Sequence, residues 1–583
     1  MGFLGSTRGL TPSLDAFART AAVFTRAYSQ APITTVSHAT ILTGLFPPAH
    51  RVSDFGLPLP ASVPYLPQLF RDAGYRTAAF VGSLILDPRA GTAPGFDRGF
   101  DLYDAGFRLR RPGEDRYQTI ERRGDEVVAR ALKWIGASPG PWFVWAHLYD
   151  AHDPYDPPAD LRSRFAAAPY DGEIAAVDRL TARLIQAAGP ETIVAVAADH
   201  GEALGDHGEE SHGMFLYDAE LHVPLVIRAP SMRASRVDAR VRLADVAPTL
   251  LQAAAIPIPK AMQGESLAGL KGDATADRPA YAETDYPRRA FGWSPLAAWR
   301  ADRFLYVRAP KPELYDLVAD PGATKNLADT RARVVDGMAK ELEEFIMRTG
   351  GAGAAPHSPG TAATVDRDLA SRLAALGYVS GTNGPPTTGV DPKDRIALAN
   401  ALHDAAMAVD DGAFQKAIPL LEQVTAREPN VKLAQLQLGV SRAHQKQYAR
   451  AIAPLRKAIE LDPEDMFAHD ELGVALYETG DLKTAAEQFA IVTSRMPKWA
   501  DARYSYASVL ARIDRVPGAV TELRAAIDLE PKHFRANLLL GRILTLQGDA
   551  EHAIPFLRTA VSVQPSNAEA NQFLNDAIRK SQK

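Results

Sequence analysis

Runs of consecutive apolar residues alternate with amphipathic stretches through the first part of the chain. The apolar runs are rich in β-branched and aromatic residues and lie at 75–83, 142–149, 192–199 and 223–230. The amphipathic stretches have helical periodicity and lie at 62–74, 119–136, 170–188 and 244–254. Continuous apolar strands that alternate with helices are typical of a parallel sheet covered on both faces. The pattern therefore predicts an α/β domain with a largely parallel sheet.

The C-terminal third has a different pattern, in which the same residue types recur every 34 residues. Prolines recur at 429, 463, 497, 531 and 565. Alanines recur at 417, 451, 485, 519 and 553, and small residues recur at 405, 439, 473, 507 and 541. This spacing is typical of tetratricopeptide repeats, each of which is a pair of helices. Small residues let the paired helices approach closely and proline ends the second helix, so the spacing predicts five repeats.

These patterns divide the chain into four parts. We expect an α/β domain at 1–348, a linker at 349–392, five repeats at 393–566 and a capping helix at 567–583. The linker is rich in Gly, Pro, Ser and Thr and contains one short predicted helix, at 365–376. A repeat array of this kind offers a concave groove for a peptide or protein segment. A rigid spacer or a dimerisation surface is the alternative.

Composition narrows the classes of function. The 583 residues carry a formal net charge of -5 without a concentrated basic region, so we expect no nucleic-acid partner. Cysteine is absent, which removes disulfides, thiolate metal ligands and a cysteine nucleophile. No apolar run approaches the ~18 residues that a membrane-spanning helix needs, and no secretory leader is recognisable. Composition thus predicts neither a membrane span nor a nucleic-acid interface.

Four segments in order along the chain carry a family resemblance. The segment APITTVSHATILTGLFPPAH at 31–50 resembles the sulfatase signature, Cys/Ser-x-Pro-Ser-Arg-x-x-x-Leu-Thr-Gly. Aligned on the closing Leu-Thr-Gly, its nucleophile, proline, serine and arginine positions hold Thr34, Val36, Ser37 and His38. Three further segments resemble later family motifs: HLYDAHDPYDPP (147–158), AADHGEALGDHGEESHG (197–213) and PELYDLVADPGATKNLA (312–328). The resemblance covers residues 5–348 and implies the sulfatase and alkaline-phosphatase fold, a largely parallel sheet covered by helices.

Thr34 precedes a predicted helix at 37–42, so its hydroxyl is expected near a helix N-terminus. Free backbone N–H groups and the helix dipole favour an alkoxide and a bound tetraoxyanion there. The resemblance implies a nucleophile at this position, but sulfatases convert Cys or Ser there to formylglycine, and threonine cannot form that aldehyde. Thr34 instead resembles the threonine nucleophile of nucleotide phosphodiesterases and lipoteichoic acid synthases. The resemblance therefore implies phosphate or phosphonate esters, with sulfate esters as a weaker class. The alternative is that Thr34 and Ser37 only cap the helix.

Asp199 and His200 close the apolar run at 192–199. A carboxylate beside an imidazole at a strand end suits Mn²⁺, Zn²⁺ or a similar cation. By resemblance, these two residues belong to the metal segment of the family. Calcium sulfatases usually have Asp-Asn there, so His200 favours the phosphatase-like branch. The expected cofactor is a divalent cation, Mn²⁺, Zn²⁺, Mg²⁺ or Ca²⁺.

Three further histidines are candidate catalytic residues by resemblance. His152 and His212 resemble family residues that contact the transferred anion or assist the leaving group, and histidine can serve both tasks near neutral pH. His38 replaces an arginine that steadies the nucleophile, and we expect a catalytic role for it as well. For each isolated histidine, the alternative is a residue with satisfied hydrogen bonds in the core or at the surface.

The start of the chain departs from the family pattern. Family members open with a β-strand that ends in one or two acidic metal ligands, whereas Thr11 and Pro12 here begin a helix as N-cap and first helical residue. A start codon assigned too late would have removed the strand and any leader for export, and a degenerate sequence is the alternative. We expect the late start. With it we expect an incomplete metal site, weak binding of divalent metal and little hydrolase activity in this chain.

The leading functional hypothesis is a metal-dependent hydrolase of phosphate, phosphonate or sulfate esters that acts through a covalent Thr34 intermediate. A phosphoryl-group transferase would use the same residues and pass the group to an acceptor other than water. The alternative from another class is a scaffold whose repeat groove is the working surface and whose hydrolase domain is inactive. The presence of Thr34, Asp199 and His200 argues against the scaffold.

Overall fold

The computed structural model describes residues 1–108, 114–270, 277–350 and 387–582. The described residues belong to two compact units. The first unit contains those up to 350 together with 387–400, and the second contains 401–582. Most of the predicted linker, including its short helix at 365–376, lies outside the described residues.

The described part of the first unit contains three sheets. Their strands are β1 Ala22–Tyr28, β2 Arg76–Phe80, β3 Leu102–Asp104, β4 Trp142–Ala146, β5 Val194–Ala197, β6 His222–Arg228, β7 Ser235–Arg242, β8 Ala280–Thr284, β9 Leu296–Ala301, β10 Phe304–Arg308 and β11 Glu313–Asp316. The sheet β3-β2-β4 is parallel. In the sheet β5-β6-β1-β7, β1 pairs parallel with β7 and antiparallel with β6, while β5 pairs antiparallel with β6. The sheet β11-β10-β9-β8 is antiparallel.

Helices connect and cover these sheets. They are α1 Pro12–Ala18, α2 Thr34–Thr43, α3 Pro47–His50, α4 Leu66–Asp72, α5 Gly124–Gly136, α6 Ala159–Arg162, α7 Pro169–Ala188, α8 Asp218–Leu221, α9 Val246–Ala253, α10 Tyr286–Phe291 and α11 Ala332–Gly350. The apolar face of α5 packs on β2, where Val127 contacts the cluster that holds Phe80. Among the described helices, none is both long enough and apolar enough to cross a membrane.

The predicted α/β architecture is confirmed. Each of the four predicted apolar runs overlaps one of β2, β4, β5 and β6, and each of the four predicted amphipathic stretches overlaps one of α4, α5, α7 and α9. Helix α1 begins at Pro12, as expected. The sequence analysis did not predict β1, β7 or the antiparallel sheet β8 to β11, so the strand pairing is more mixed than the apolar runs alone indicate.

Strands β4 and β5 lie at sheet edges. Among the described strands, β4 pairs only with β2 and β5 only with β6, and the side chains of both are half-buried or exposed. Helix α7 packs against both sheets. Leu184 contacts the cluster that holds Phe80 and Val144, and Ile185 contacts the cluster that holds Val194. The apolar runs at 142–149 and 192–199, which are typical of strands covered on both faces, therefore form edge strands with part of their surface open to solvent.

The predicted repeats are helix pairs with the expected spacing. Helix A of each pair spans Ile396–Asp410, Lys432–His444, Met466–Thr479, Ala500–Arg512 and Phe534–Leu546. Helix B spans Phe414–Arg427, Tyr448–Leu461, Leu482–Arg495, Val516–Leu529 and Ala550–Val563, so each begins 34 residues after the last. A further helix, Ala568–Ser581, follows the fifth pair.

The recurring small residues lie where helix A meets helix B. A Cβ atom at Gly439 would lie 2.4 Å from Cγ of Leu455, and one at Gly541 would lie 2.5 Å from Cγ of Leu557. Because real Cβ atoms do not approach other atoms so closely, a side chain here would displace the facing residue of helix B. Close approach of the two helices therefore explains why a small residue recurs with the repeat.

Candidate active site

Thr34 is the first residue of α2. Ile33 before it is extended, and its carbonyl oxygen accepts the N–H of Ser37 at 2.9 Å. The sequence analysis placed the start of this helix at Ser37. In the structure the helix begins three residues earlier, at Thr34. The Thr34 side chain is buried, and its Oγ1 lies 3.1 Å from Nε2 of His200. A hydroxyl at this position lies at the positive end of the helix dipole.

Two side chains of α2 tie the helix to the segment that follows β5. The Ser37 hydroxyl donates to the carbonyl oxygen of Asp199 at 2.6 Å. His38 lies one turn after Thr34, donates from Nδ1 to the Thr34 carbonyl oxygen at 2.8 Å, and lies 3.4 Å from Oδ2 of Asp199. The His38 ring also packs against Trp145 of β4, with ring centroids 5.3 Å apart. These contacts fix Thr34 relative to Asp199.

His200 follows β5 and faces the Thr34 hydroxyl. Its Nδ1 donates to the carbonyl oxygen of Gly201 at 2.9 Å, so Nε2 of the neutral ring accepts the hydroxyl of Thr34. Burial lowers the pKa of His200, which keeps the ring neutral. Gly201 is required by a close approach, because a Cβ there would lie 2.1 Å from the carbonyl oxygen of Ala219. The chain can therefore turn back beneath the imidazole only with glycine at this position.

Asp199 has a buried carboxylate oxygen, Oδ2, that accepts no hydrogen bond from any described residue. It lies 3.5 Å from Nε2 of His200, which is beyond good hydrogen-bonding distance. Burial alone would raise the pKa of Asp199, but the interactions of its carboxylate with the imidazoles of His200, His38 and His147 hold that pKa well below its ordinary value. A carboxylate oxygen, an imidazole nitrogen and the Thr34 hydroxyl thus converge. A carboxylate oxygen and an imidazole nitrogen side by side are a donor set that suits a divalent cation.

A second group of side chains, the His152–Glu202–His212 cluster, lies beside His200. The atoms of these three residues that can ligate a metal all lie within 4.8 Å of one another. Nδ1 of His212 lies 3.3 Å from both carboxylate oxygens of Glu202. The ring centroid of His212 lies 4.8 Å from that of His152 and 4.4 Å from that of His200. The imidazoles of His152, His212 and His200 therefore form a continuous row that ends at Thr34.

Charges within this cluster shift the pKa of every member. Burial lowers the pKa of His152 to about 4, and the charge of His212 acts in the same direction. Burial would lower the pKa of His212 too, but the charge and hydrogen bond of Glu202 raise it above its ordinary value. Against the effect of burial, His212 lowers the pKa of Glu202 to about 2. The pKa shifts therefore favour the neutral ring for His152 and the protonated ring for His212 beside the Glu202 carboxylate.

Two buried glutamates hold the loop that carries His212. The carboxylate of Glu220 accepts the N–H of Gly213 at 2.9 Å. The carboxylate of Glu209 accepts the N–H groups of Met214 at 2.8 Å and Phe215 at 3.1 Å. Burial raises the pKa of both carboxyl groups, and the neighbouring charge of Glu209 raises that of Glu220 further. Three consecutive backbone N–H groups next to His212 are therefore held by side chains from outside the cluster.

The structure brings together the six residues that the sequence analysis expected at the site, Thr34, His38, His152, Asp199, His200 and His212. Glu202 was not expected there, although it lies two residues after His200 within the segment already compared with the family. Asp150 is also acidic and near these motifs, but its carboxylate accepts the N–H of Gly124 at 2.9 Å and so holds the start of α5.

Comparisons with known sequences assign both parts of the chain to families. The family model described as Sulfatase matches residues 1–256. The model described as N-sulphoglucosamine sulphohydrolase, C-terminal, matches residues 205–348. The model described as Tetratricopeptide repeat matches residues 407–465, 471–527 and 514–570.

Several proteins named as sulfatases are similar to the chain. The Ulvan-active sulfatase of Formosa agariphila is 27% identical over 379 residues, which cover 56% of this chain and 74% of that protein. The Uncharacterized sulfatase YidJ of Escherichia coli is 23% identical over 412 residues, which cover 58% of this chain and 82% of that protein. In both cases the match is longer than the Sulfatase segment alone.

Solved structures share the fold. The phosphonate monoester hydrolase of Agrobacterium radiobacter is 24% identical, with a TM-score of 0.50 over 60% of this chain and 93% of that one. The putative sulfatase yidJ of Bacteroides fragilis is 19% identical, with a TM-score of 0.51 over 61% of this chain and 94% of that one. Binding of a divalent metal is typical of this family. The chain therefore belongs to the sulfatase family of hydrolases over its N-terminal part and carries tetratricopeptide repeats over its C-terminal part.

Proposed function

We propose that the protein is a metal-dependent hydrolase of phosphate or phosphonate esters that uses Thr34 as its nucleophile. The observation that carries the proposal is the environment of the Thr34 hydroxyl. It lies at the N-terminus of α2 and 3.1 Å from Nε2 of His200, beside the unpaired carboxylate oxygen of Asp199. A threonine that only capped the helix would need no buried carboxylate and row of imidazoles around it.

The proposed reaction has two steps at Thr34. Attack of Oγ1 on phosphorus forms a phosphothreonine ester and breaks the bond to the leaving oxygen, and water then hydrolyses that ester. The N-terminus of α2 stabilises negative charge on Oγ1 and on the bound anion. His152 and His212 contact the transferred anion or assist the leaving group from the other side of His200. His38 steadies the backbone of Thr34 through its 2.8 Å hydrogen bond.

We propose Asp199 and His200 as the ligands of the divalent cation, with Mn²⁺ or Zn²⁺ favoured over Mg²⁺ or Ca²⁺ because one ligand is an imidazole. A cation held there would lower the pKa of the Thr34 hydroxyl and offset charge on the ester. The orphaned oxygen of Asp199 supports this assignment, because a buried anionic oxygen without a donor is costly unless a cation fills its coordination.

The substrate class follows from the residue type at position 34. The sulfatase reaction needs formylglycine, which threonine cannot form, whereas a threonine hydroxyl can attack phosphorus directly. We therefore expect phosphate and phosphonate esters to be hydrolysed faster than sulfate esters. One protein that shares the fold is named as a phosphonate monoester hydrolase and another as a putative sulfatase, so proteins of this fold carry names of both kinds.

Chromogenic esters test the proposal. With added Mn²⁺ or Zn²⁺, we expect the chain to hydrolyse bis(p-nitrophenyl) phosphate or p-nitrophenyl phenylphosphonate faster than p-nitrophenyl sulfate, even though the total activity of this chain is expected to be low. Thr34→Ala should lower kcat by about 10³-fold or more, and Thr34→Ser should retain part of the rate. Thr35→Val is the matched control, because the buried Thr35 hydroxyl has no described hydrogen-bond partner. An unchanged rate in Thr34→Ala would rule out the covalent mechanism.

The same assays separate the alternative functions. With bis(p-nitrophenyl) phosphate and added glycerol, a transferase would form the glycerol ester of p-nitrophenyl phosphate in excess of free p-nitrophenyl phosphate, the hydrolysis product. A scaffold would hydrolyse none of the three esters with any cation, and its biological effect would depend on the repeats alone. We propose a peptide or protein segment as the partner of the repeat groove, which is the usual occupant of such an array.

A further inference from the structure

Two side chains with large apolar surfaces border the candidate site and have no role in the proposed reaction. Ile33 directly precedes Thr34, and Tyr286 of α10 lies against the residue that follows His212. We propose that they form an apolar wall, the Ile33–Tyr286 wall, that contacts the organic group that phosphorus keeps when the leaving oxygen departs. This inference rests on the function proposed above. It narrows the substrate class to phosphonate monoesters and phosphodiesters whose retained group is apolar, such as a phenyl ring.

The two side chains of the wall meet at Gly213. A Cβ atom at that glycine would lie 3.2 Å from Cδ1 of Ile33 and 3.5 Å from Cδ1 of Tyr286. The carbonyl oxygen of Gly213 accepts the hydroxyl of Thr284 at 2.6 Å, and its N–H donates to the carboxylate of Glu220 at 2.9 Å. The wall therefore flanks a backbone segment that is held on both sides before a substrate binds.

The accessible surface of the wall opens at the candidate site. Of residues 27–40, all are buried except Ile33, which is half-buried. Tyr286 is also half-buried, between neighbours in the chain that are buried. The side chains of His212 and Asp199 keep 14% and 21% of their surface exposed. Because the residues around Ile33 in the chain are covered, its free surface shares the opening that exposes these two side chains.

The hydroxyl of Tyr286 lies away from this opening. Burial raises its pKa, and the nearby charges of Asp54 and Glu209 raise that pKa further. The accessible part of this half-buried residue is therefore its ring. Arg289 of the same helix is buried, and its Nε lies 3.0 Å from Oδ2 of Asp54, so its charge is directed away from a substrate. An apolar wall offers no partner to a second anionic oxygen, so phosphate monoesters gain no binding energy from it.

The direction of displacement identifies the part of the ester that meets the wall. The attacking and leaving oxygens lie roughly in line across phosphorus. The leaving oxygen is therefore on the side away from Thr34, whereas Ile33 is next to the nucleophile and so beside the groups that phosphorus keeps. The alternative is that Ile33 and Tyr286 only shield Gly213 from solvent. That role predicts no dependence of binding on the retained group.

Two pairs of compounds test the inference. The esters p-nitrophenyl phenylphosphonate and p-nitrophenyl methylphosphonate share a leaving group and differ only in the retained group. With added Mn²⁺, we expect kcat/KM to be about 10-fold higher for the phenyl ester. Calorimetric titration with phenylphosphonate and methylphosphonate gives a second measurement that needs no turnover. We expect a Kd about 10-fold lower for phenylphosphonate.

Variants of the wall should change both preferences. Ile33→Ala and Tyr286→Ala should each reduce the preference for phenyl to about 3-fold or less, with a smaller change in the values for the methyl compounds. Tyr286→Phe should restore the preference that Tyr286→Ala loses, because the ring and not the hydroxyl forms the wall. Ile258→Ala is the matched control, since it truncates the same side chain at an exposed position outside the wall. Thermal melts establish that each variant is folded.

Three results would overturn the inference: no preference for phenyl in the unaltered chain, no binding of either phosphonate, or an unchanged preference in both alanine variants. Equal losses for the phenyl and methyl compounds would overturn it as well, because a general loss of structure at the site would produce them. Thr34→Ala cannot form the covalent intermediate but should keep the ratio of the two Kd values. A failed nucleophile assignment would therefore leave the binding result intact.

Discussion

The contact between Gly439 and Leu455 in the repeat array makes a quantitative prediction about helix packing. Gly439 lies in the helix Lys432–His444, and Leu455 lies in the facing helix and is fully buried. A Cβ at position 439 would lie 2.4 Å from Cγ and 2.6 Å from Cδ2 of Leu455. Gly439→Ala should therefore destabilise the array, although alanine is the better helix former.

Two opposing terms set the size of the effect. Replacing glycine by alanine inside a helix stabilises it by about 1 kcal/mol. Overpacking a well-filled core costs about 1–3 kcal/mol, and contacts as short as these favour the upper value. The expected net loss is about 2 kcal/mol. Leu455→Ala alone should cost about 2–5 kcal/mol through the cavity it leaves. In that background the new methyl group enters vacated space, so Gly439→Ala should stabilise the array by about 1 kcal/mol.

Urea denaturation of residues 393–583, followed by far-UV circular dichroism, measures all four free energies of unfolding. The predicted coupling between the two substitutions is about 3 kcal/mol, with a change of sign for Gly439→Ala between the backgrounds. Gly337→Ala in the full chain is a matched control for the helix term, because a Cβ at that position meets no atom within 4 Å. If Gly439→Ala has the same effect with and without Leu455, the steric explanation of the repeat is wrong.

Two further predictions concern the active-site segment. The raised pKa of Glu220 means that its neutral form stabilises the fold, fully below pH about 4.5 and less as the pH rises through the folded-state pKa. The Glu220→Gln side chain keeps an acceptor for the Gly213 N–H but cannot become charged. The free energy of unfolding of this variant should therefore fall less between pH 6 and pH 9 than that of the unaltered chain. Parallel curves of unfolding free energy against pH would contradict this. Gly201→Ala should cost about 1–3 kcal/mol or more, because its Cβ would overlap the Ala219 carbonyl oxygen, and a thermal melt with unchanged midpoint would refute the stated overlap.

The candidate site could be predicted from the sequence to the extent that its residues lie in short segments with a local pattern. Thr34 and His38 are one helical turn apart, and Asp199 with His200 ends an apolar run, so both pairs could be recognised without a structure. The start of α2 was placed three residues too late, since Thr34 and Thr35 are weak helix formers. Their helical conformation depends on tertiary contacts such as that between Ser37 and Asp199.

Strands that the sequence analysis did not predict include β7, whose many charged residues are typical of an exposed segment. Strand β7 has the sequence SRVDARVR, yet Arg240 and Arg242 within it are buried. Arg240 donates to the carbonyl oxygen of Arg300, and Arg242 is paired with Asp245. Both partners lie outside β7, so the sequence of the strand itself does not indicate that its arginines are buried. β4 and β5 show the converse case, because apolar runs typical of a sheet covered on both faces form half-exposed edges here.

The glutamates between positions 202 and 220 differ in burial and in the groups they contact, although they are one residue type. Glu202, Glu209 and Glu220 are buried, and Glu210 in the same segment is exposed, although all four are glutamates. Glu202 contacts an imidazole, whereas Glu209 and Glu220 accept backbone N–H groups. Glutamine can still accept from a backbone N–H but carries no charge to pair with a protonated imidazole. The same Glu→Gln change should therefore preserve loop geometry at position 220 and, at position 202, remove the charge that raises the pKa of His212.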